Sequence, residues 1–160
     1  VFRDYLVRNT AIRYTCADVA EDLKPDVVAD VSQKLPFPDC SFDVVCAFEI
    51  LEHLPFEKFN SALSEIARVS KNGAIISLPH FGPPVQFSLK IPFFPLIRFA
   101  WKIPFPRRHV FNGQHHWEMG KRGFPVRHIR HAMRKYFVIT CEFVPFENQY
   151  HRFFILEKRI

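Results

Sequence analysis

Apolar positions along the chain fall into short β-branched runs interrupted by two stretches of helical period. Residues 42–48, Phe-Asp-Val-Val-Cys-Ala-Phe, follow a turn-rich approach containing Pro36, Pro38 and Asp39. A run this short and apolar predicts a strand buried on both faces of a parallel sheet. Phe59, Ala62, Leu63, Ile66 and Ala67 then recur every three or four residues and predict an amphipathic helix over 57–70, stopped by Asn72-Gly73. Residues 74–78, Ala-Ile-Ile-Ser-Leu, predict a second buried strand, ended by Pro79-His80. Two earlier strands are expected at 12–16 and 26–31, each leading to an acid, Asp18 and Asp30, and 19–25 is too short for the usual crossover helix. Residues 1–9 read as the end of a helix. Pro125 opens another over 125–135, with Val126, Ile129 and Met133 inward and Arg127, Arg130, Arg134 and Lys135 solvated. Residues 137–144 and 152–157 predict two closing strands. Strands alternating with helices make this an α/β chain.

Residues 81–112 break the pattern. Prolines alternate with aromatics in Phe-Gly-Pro-Pro, Ile-Pro-Phe-Phe-Pro and Ile-Pro-Phe-Pro-Arg-Arg, and interior prolines forbid one continuous helix. This segment is expected to be an insertion, a lid over a single domain spanning 1–160. It is also basic: residues 81–135 hold 11 Lys or Arg against one acid, Glu118, while the chain as a whole carries +6. Its aromatics and cations suit an amphipathic or anionic acceptor, or peripheral contact with a membrane surface. They also suit simple packing on the domain. No nucleic-acid-binding signature accompanies the charge, so nucleic acid is not the expected partner. The four cysteines show no paired spacing and read as reduced core residues of an intracellular, cytoplasmic protein.

Candidate chemistry gathers where apolar runs end. In open α/β sheets the ligand crevice lies outside the carboxyl ends of the strands. The run at 42–48 ends in Glu49, Glu52 and His53. A second cluster, Gln114-His115-His116-Trp117-Glu118, admits three readings: structural hydrogen bonding, a substrate-facing role as orienting group or general base, or a metal site of His115, His116 and Glu118. Adjacent residues rarely bind one ion, no outside ligand is evident in the spacing, and no metal is expected.

The stretch Leu35-Pro36-Phe37, Asp39, Ser41-Phe42-Asp43-Val44-Val45 and Leu51-Glu52-His53-Leu54 resembles the fourth-strand segment of class I S-adenosylmethionine (SAM) dependent methyltransferases, of the type 11 domain. The resemblance implies a Rossmann-like methyltransferase fold, a mostly parallel sheet with a C-terminal antiparallel hairpin. It implies SAM as cofactor, with Asp18 and Val19 at the ribose, Asp30 and Val31 at the adenine edge, and Phe48 beside them. Glu49, His53, His116 and Glu118 become the acceptor-side, catalytic candidates. One family element has no counterpart: none of the five glycines belongs to a Gly-x-Gly-x-Gly loop, and a first, central strand is missing. Without it, the strands at 12–16 and 26–31 have no partner joining them to the rest of the sheet. The chain is thus expected to be an N-terminally truncated methyltransferase, active or a fragment. The alternative is a catalytically inactive methyltransferase-like module acting through protein binding.

Overall fold

The computed structural model describes Arg8 and residues 10–159; the helix expected over 1–9 lies almost wholly outside the described residues. The main sheet has four strands: β3 (Phe42–Phe48), β4 (Ser70–Pro79), β8 (His151–Lys158) and β7 (Phe137–Phe143), in the order β3-β4-β8-β7. β3 and β4 run parallel, and β8 is antiparallel to both β4 and β7. Helix α1 (Phe59–Val69) makes the crossover from β3 to β4, and α2 (Val126–Met133) leads into β7. Two further strands, β1 (Ala17–Asp18) and β2 (Val27–Val28), pair parallel with each other in a sheet of their own. A hairpin of β5 (Pro84–Leu89) and β6 (Ile97–Lys102) forms the third.

The core lies between α1, α2 and one face of the main sheet. Phe59, Leu63 and Ile66 from α1 meet Ile76 and Leu78 of β4, Phe137 of β7, Phe154 of β8, and Ile129 and Met133 of α2. α1 buries the stripe that the helical period marks, and Phe56 extends it through a 3₁₀ turn, Phe56–Lys58, stacked on Phe59 with centroids 5.6 Å apart. β4 is central, with a strand bonded on each side, and most of its residues are buried.

Several expectations are corrected. β3 is not buried on both faces: Val44 is 48% exposed and Cys46 is exposed, because among the described residues only β4 flanks this strand. Among the described residues β1 and β2 pair only with each other, so neither pairs with the edge of β3. Cys40, Cys46 and Cys141 are exposed and Cys16 is half-buried, so the cysteines are free thiols outside the core. Gly73 does not stop a helix. The helix ends at Val69 and Gly73 lies inside β4, beyond an irregularity in the β3–β4 register between Phe42 and Val44. Arg130 is not merely solvated: its guanidinium donates to both oxygens of Glu142 at 2.6 and 2.9 Å, and Arg152 donates to the same carboxylate. The two guanidiniums hold Glu142 below the usual carboxylate range against the opposing effect of burial.

The need for glycine at 73 is steric. A Cβ there would sit 1.9 Å from the Leu156 carbonyl oxygen, a backbone atom of β8 that cannot swing away. Gly73→Ala is therefore expected to lower unfolding free energy by about 1–3 kcal/mol, as overpacking does. Urea denaturation of the two proteins measures it, and equal midpoints would contradict the account.

Candidate active site

The strands deliver their acids to one set of ends. Asp18 closes β1, and its carbonyl accepts from Ala29 N just beyond β2, so the Asp18 and Asp30 turns are neighbours. Asp18 Oδ1 accepts from Ala20 N at 2.9 Å. Asp30 accepts from Ser32 N at 2.8 Å and Ser32 Oγ at 2.9 Å. Both acids thus stiffen the turns they begin, and a carboxylate retains further acceptor capacity after such bonds. Val19 follows Asp18 on the surface, 64% exposed, and Val31 is partly buried against the core.

At the end of β3, Phe48 packs on Phe153 and Glu49 reverses the chain in a left-handed conformation, φ 52°. That conformation costs a non-glycine residue on the order of 1–3 kcal/mol. Ser77 of β4 holds it. Glu49 N donates to the Ser77 carbonyl and hydroxyl (3.3 and 3.2 Å), and Ser77 Oγ donates back to Glu49 Oε1 at 2.7 Å. Glu49 Oε2 faces His151 Nε2 at 3.4 Å. A 3₁₀ turn, Leu51–His53, follows; Leu51 and Glu52 are wholly buried.

The His-His-Trp-Glu stretch lies against that turn. His116 N donates to the Glu52 carbonyl at 2.9 Å, and His53 Nδ1 donates to the Gln114 carbonyl at 3.0 Å. Trp117 is fully buried, its indole N–H on the Leu54 carbonyl at 3.1 Å and its ring against Phe56, Phe59 and Phe124. Buried Glu118 is engaged by Lys121 at 3.1 Å and His115 Nδ1 at 3.4 Å. Glu49, Glu52, His53, His115 and Glu118 thereby lie close together beyond the ends of β3 and β4. Burial pushes the Glu52 carboxyl up to about 8, with the Glu49 and Glu118 charges adding to it. The same acids, after burial, push the Tyr150 hydroxyl up to about 12.

Comparison with known proteins bears on the fold. Residues 4–78, just under half of the chain, match the family profile described as a methyltransferase domain. The fold matches the PH0226 protein of Pyrococcus horikoshii OT3 with a TM-score of 0.61 at 15% identity, covering 98% of this chain and 76% of that one. It matches the Burkholderia thailandensis 1,6-didemethyltoxoflavin-N1-methyltransferase with a TM-score of 0.61 at 16% identity, covering 99% of this chain and 66% of that one. That enzyme was crystallised with 1,6-didemethyltoxoflavin and S-adenosylhomocysteine. The glycopeptide N-methyltransferase MtfA, complexed with S-adenosylhomocysteine, gives a TM-score of 0.51 at 13% identity over 83% of this chain and 60% of its own. No curated protein matches. The chain has the fold of class I methyltransferases. Identities this low establish the fold alone, and the reactions of these neighbours remain theirs.

The expected acceptor-side residues take different positions in the fold. Glu49, His53 and Glu118 converge. His116 does not: it is exposed and rests on Phe111, with ring centroids 4.8 Å apart. Its neighbour His115 turns inward instead. Sequence reasoning named Glu52 and His115 without a role in methyl transfer, and passed over Ser77 and His151. The pairing of His115 with Glu118 three residues on is the one local signal that could have singled out the inward-facing imidazole.

A second buried imidazole sits at the end of β4. His80 is 7% exposed; its Nδ1 accepts from Arg152 Nε at 3.2 Å and its carbonyl accepts from Lys102. Burial first, then the charges of Arg152, Lys102 and Arg130, push the His80 imidazole down to about 3. The folded protein thus requires a neutral ring. Its contribution is complete above the ordinary histidine pKa near 6.5 and is lost as pH falls from there towards 3, on the order of 4 kcal/mol in all. His80→Asn keeps an acceptor and removes the titration, so its melting temperature is expected to fall less steeply than wild type between pH 6.5 and 4. Parallel acid limbs would refute this assignment.

Proposed function

We propose that this chain acts in SAM-dependent methyl transfer to a small-molecule acceptor. What carries the reading is the coincidence of a methyltransferase family match with acids at the carboxyl ends of β1, β2 and β3. Bound SAM would supply an electrophilic methyl group on its sulfonium. Asp18 would accept the ribose hydroxyls through its remaining lone pairs, with Val19 against the sugar. Asp30 and the Val31 N–H would take the adenine edge, and Phe48 would close the apolar side. On the acceptor side, Glu49, His53, Glu118 and the outlying His116 are the groups able to orient the nucleophile and remove its proton. The four free cysteines support a reducing, cytoplasmic setting. S-adenosylhomocysteine is expected to bind with a micromolar Kd by calorimetry. Asp18→Ala is expected to weaken it about 10–100-fold, the worth of hydrogen bonds to a charged group. Unchanged affinity in the variant would remove Asp18 from the cofactor site.

The finer reading of the acceptor rests on the hairpin, which we read as the lid of the single domain. Residues 81–112 carry five Lys or Arg and no acid. Every residue of β5 is exposed, and so are Phe93 and Phe94 in the turn. The hairpin is tied down by Arg98, 2.5 Å from Glu147 and over the Phe146 ring, and by Lys102 on the His80 carbonyl. An aromatic tip flanked by cations suits an amphipathic, anionic acceptor presented at a membrane surface. No helix among the described residues is long and apolar enough to cross a bilayer. The protein is expected to sediment with anionic phospholipid vesicles at low salt and not with zwitterionic ones, and Phe93→Ser with Phe94→Ser to release it. A wild-type protein that stays in the supernatant with both vesicle types would end the membrane reading.

A further inference from the structure

Glu52 is the group that the methyl-transfer reading leaves without a task. Its side chain is fully buried, and neither carboxylate oxygen has a hydrogen-bond partner. A buried polar group left unpaired costs about 1–3 kcal/mol, and a charged one more. Such groups persist where something else satisfies them. Beside it stand two imidazoles. One ligand atom each from Glu52, His53 and His115 lie within 4.8 Å of one another.

We propose that Glu52, His53 and His115 bind one divalent transition-metal ion of the zinc type. Three donors with mutual separations this short can close on a single ion with small side-chain adjustments. Two imidazoles and one carboxylate favour such an ion over magnesium or calcium, which take oxygen ligands. The surroundings of the two rings point the same way. A metal-bound imidazole donates its other N–H to a carbonyl or carboxylate, which fixes its tautomer. His53 Nδ1 faces the Gln114 carbonyl and His115 Nδ1 faces Glu118 Oε1, and neither acceptor can donate. A neutral ring that donates through Nδ1 leaves the lone pair of Nε2 for a metal. Lys121 in turn holds Glu118. The rings come from separate segments, the turn after β3 and the stretch at 114–118, which is why no linear spacing revealed the set. Three protein ligands leave a coordination position open, on the side where His53 is exposed, for water or for an oxygen or nitrogen of an acceptor.

The test is uptake of the metal alone by the intact chain. After chelation and dialysis, one equivalent of Zn²⁺ is expected to bind and survive gel filtration. Co²⁺ substitution is expected to give visible ligand-field bands. His53→Ala, at an exposed position, and Glu52→Gln are each expected to weaken binding by more than about 100-fold, beyond the loss seen when a group that merely orients a ligand is removed. Circular dichroism verifies that both remain folded; if Glu52→Gln does not, His53→Ala with His115→Ala decides. The pair His128→Ala and His131→Ala removes exposed helix histidines and is expected to leave binding unchanged. No stoichiometric uptake, or uptake that survives loss of His53 and His115 but not of His128 and His131, overturns the proposal. S-adenosylhomocysteine binding is a separate readout. A chain that takes up zinc but not the cofactor product would retain the metal site and lose the methyl-transfer reading.

Discussion

The site exists because Trp117 is buried. Its indole N–H reaches across to the Leu54 carbonyl, and its ring fills the space between Phe56, Phe59 and Phe124. A buried tryptophan of this kind anchors by area and by one satisfied polar atom together. The anchoring joins two stretches some sixty residues apart: the turn after β3 and the segment carrying the imidazoles. His115 on one side of the indole and Glu118 on the other have their positions fixed by it. Without that docking, Glu52 and His53 would face solvent with nothing opposite.

The sheet explains why the site is half framed and half open. β4 is held on both sides and packed beneath α1, so the ends of β3 and β4 are well defined relative to each other. Among the described residues the β1–β2 pair shares no strand pairing with that sheet, and its two acids are ordered by their own turns. Acid and imidazole chemistry beside β4 is therefore built on a rigid floor, while the expected cofactor acids rest on local bonding.

Much of this was legible in the sequence. The helical repeat from Phe59 to Ala67, the runs at 42–48, 74–78, 137–144 and 152–157 and the proline at 125 each placed an element correctly, because each pattern expresses the burial the fold provides; the run expected at 12–16 is not a strand, and β1 begins only at Ala17. The order β3-β4-β8-β7 follows the family resemblance, and the gap beside β3 was foreseen from the missing glycine loop. Burial failed at β3 and at the cysteines for a reason outside the local pattern: a strand needs a neighbour on each side to be covered, and an apolar run cannot say that one is absent. Gly73 misled because Asn-Gly marks helix ends and tight backbone approaches alike. In the site, residue type pointed to the right stretches, but only tertiary packing decides that His115 faces inward and His116 outward.

Glu49 holds a last lesson about substitution. Its left-handed backbone is imposed by the chain reversal and secured by Ser77, independently of what its carboxylate does. Glycine, asparagine and aspartate tolerate such a backbone best, and β-branched residues worst. The palette of residues acceptable at this position is thus narrowed twice, once by the turn and once by the chemistry. Variation there would reflect what the backbone permits before it reflected what the reaction prefers.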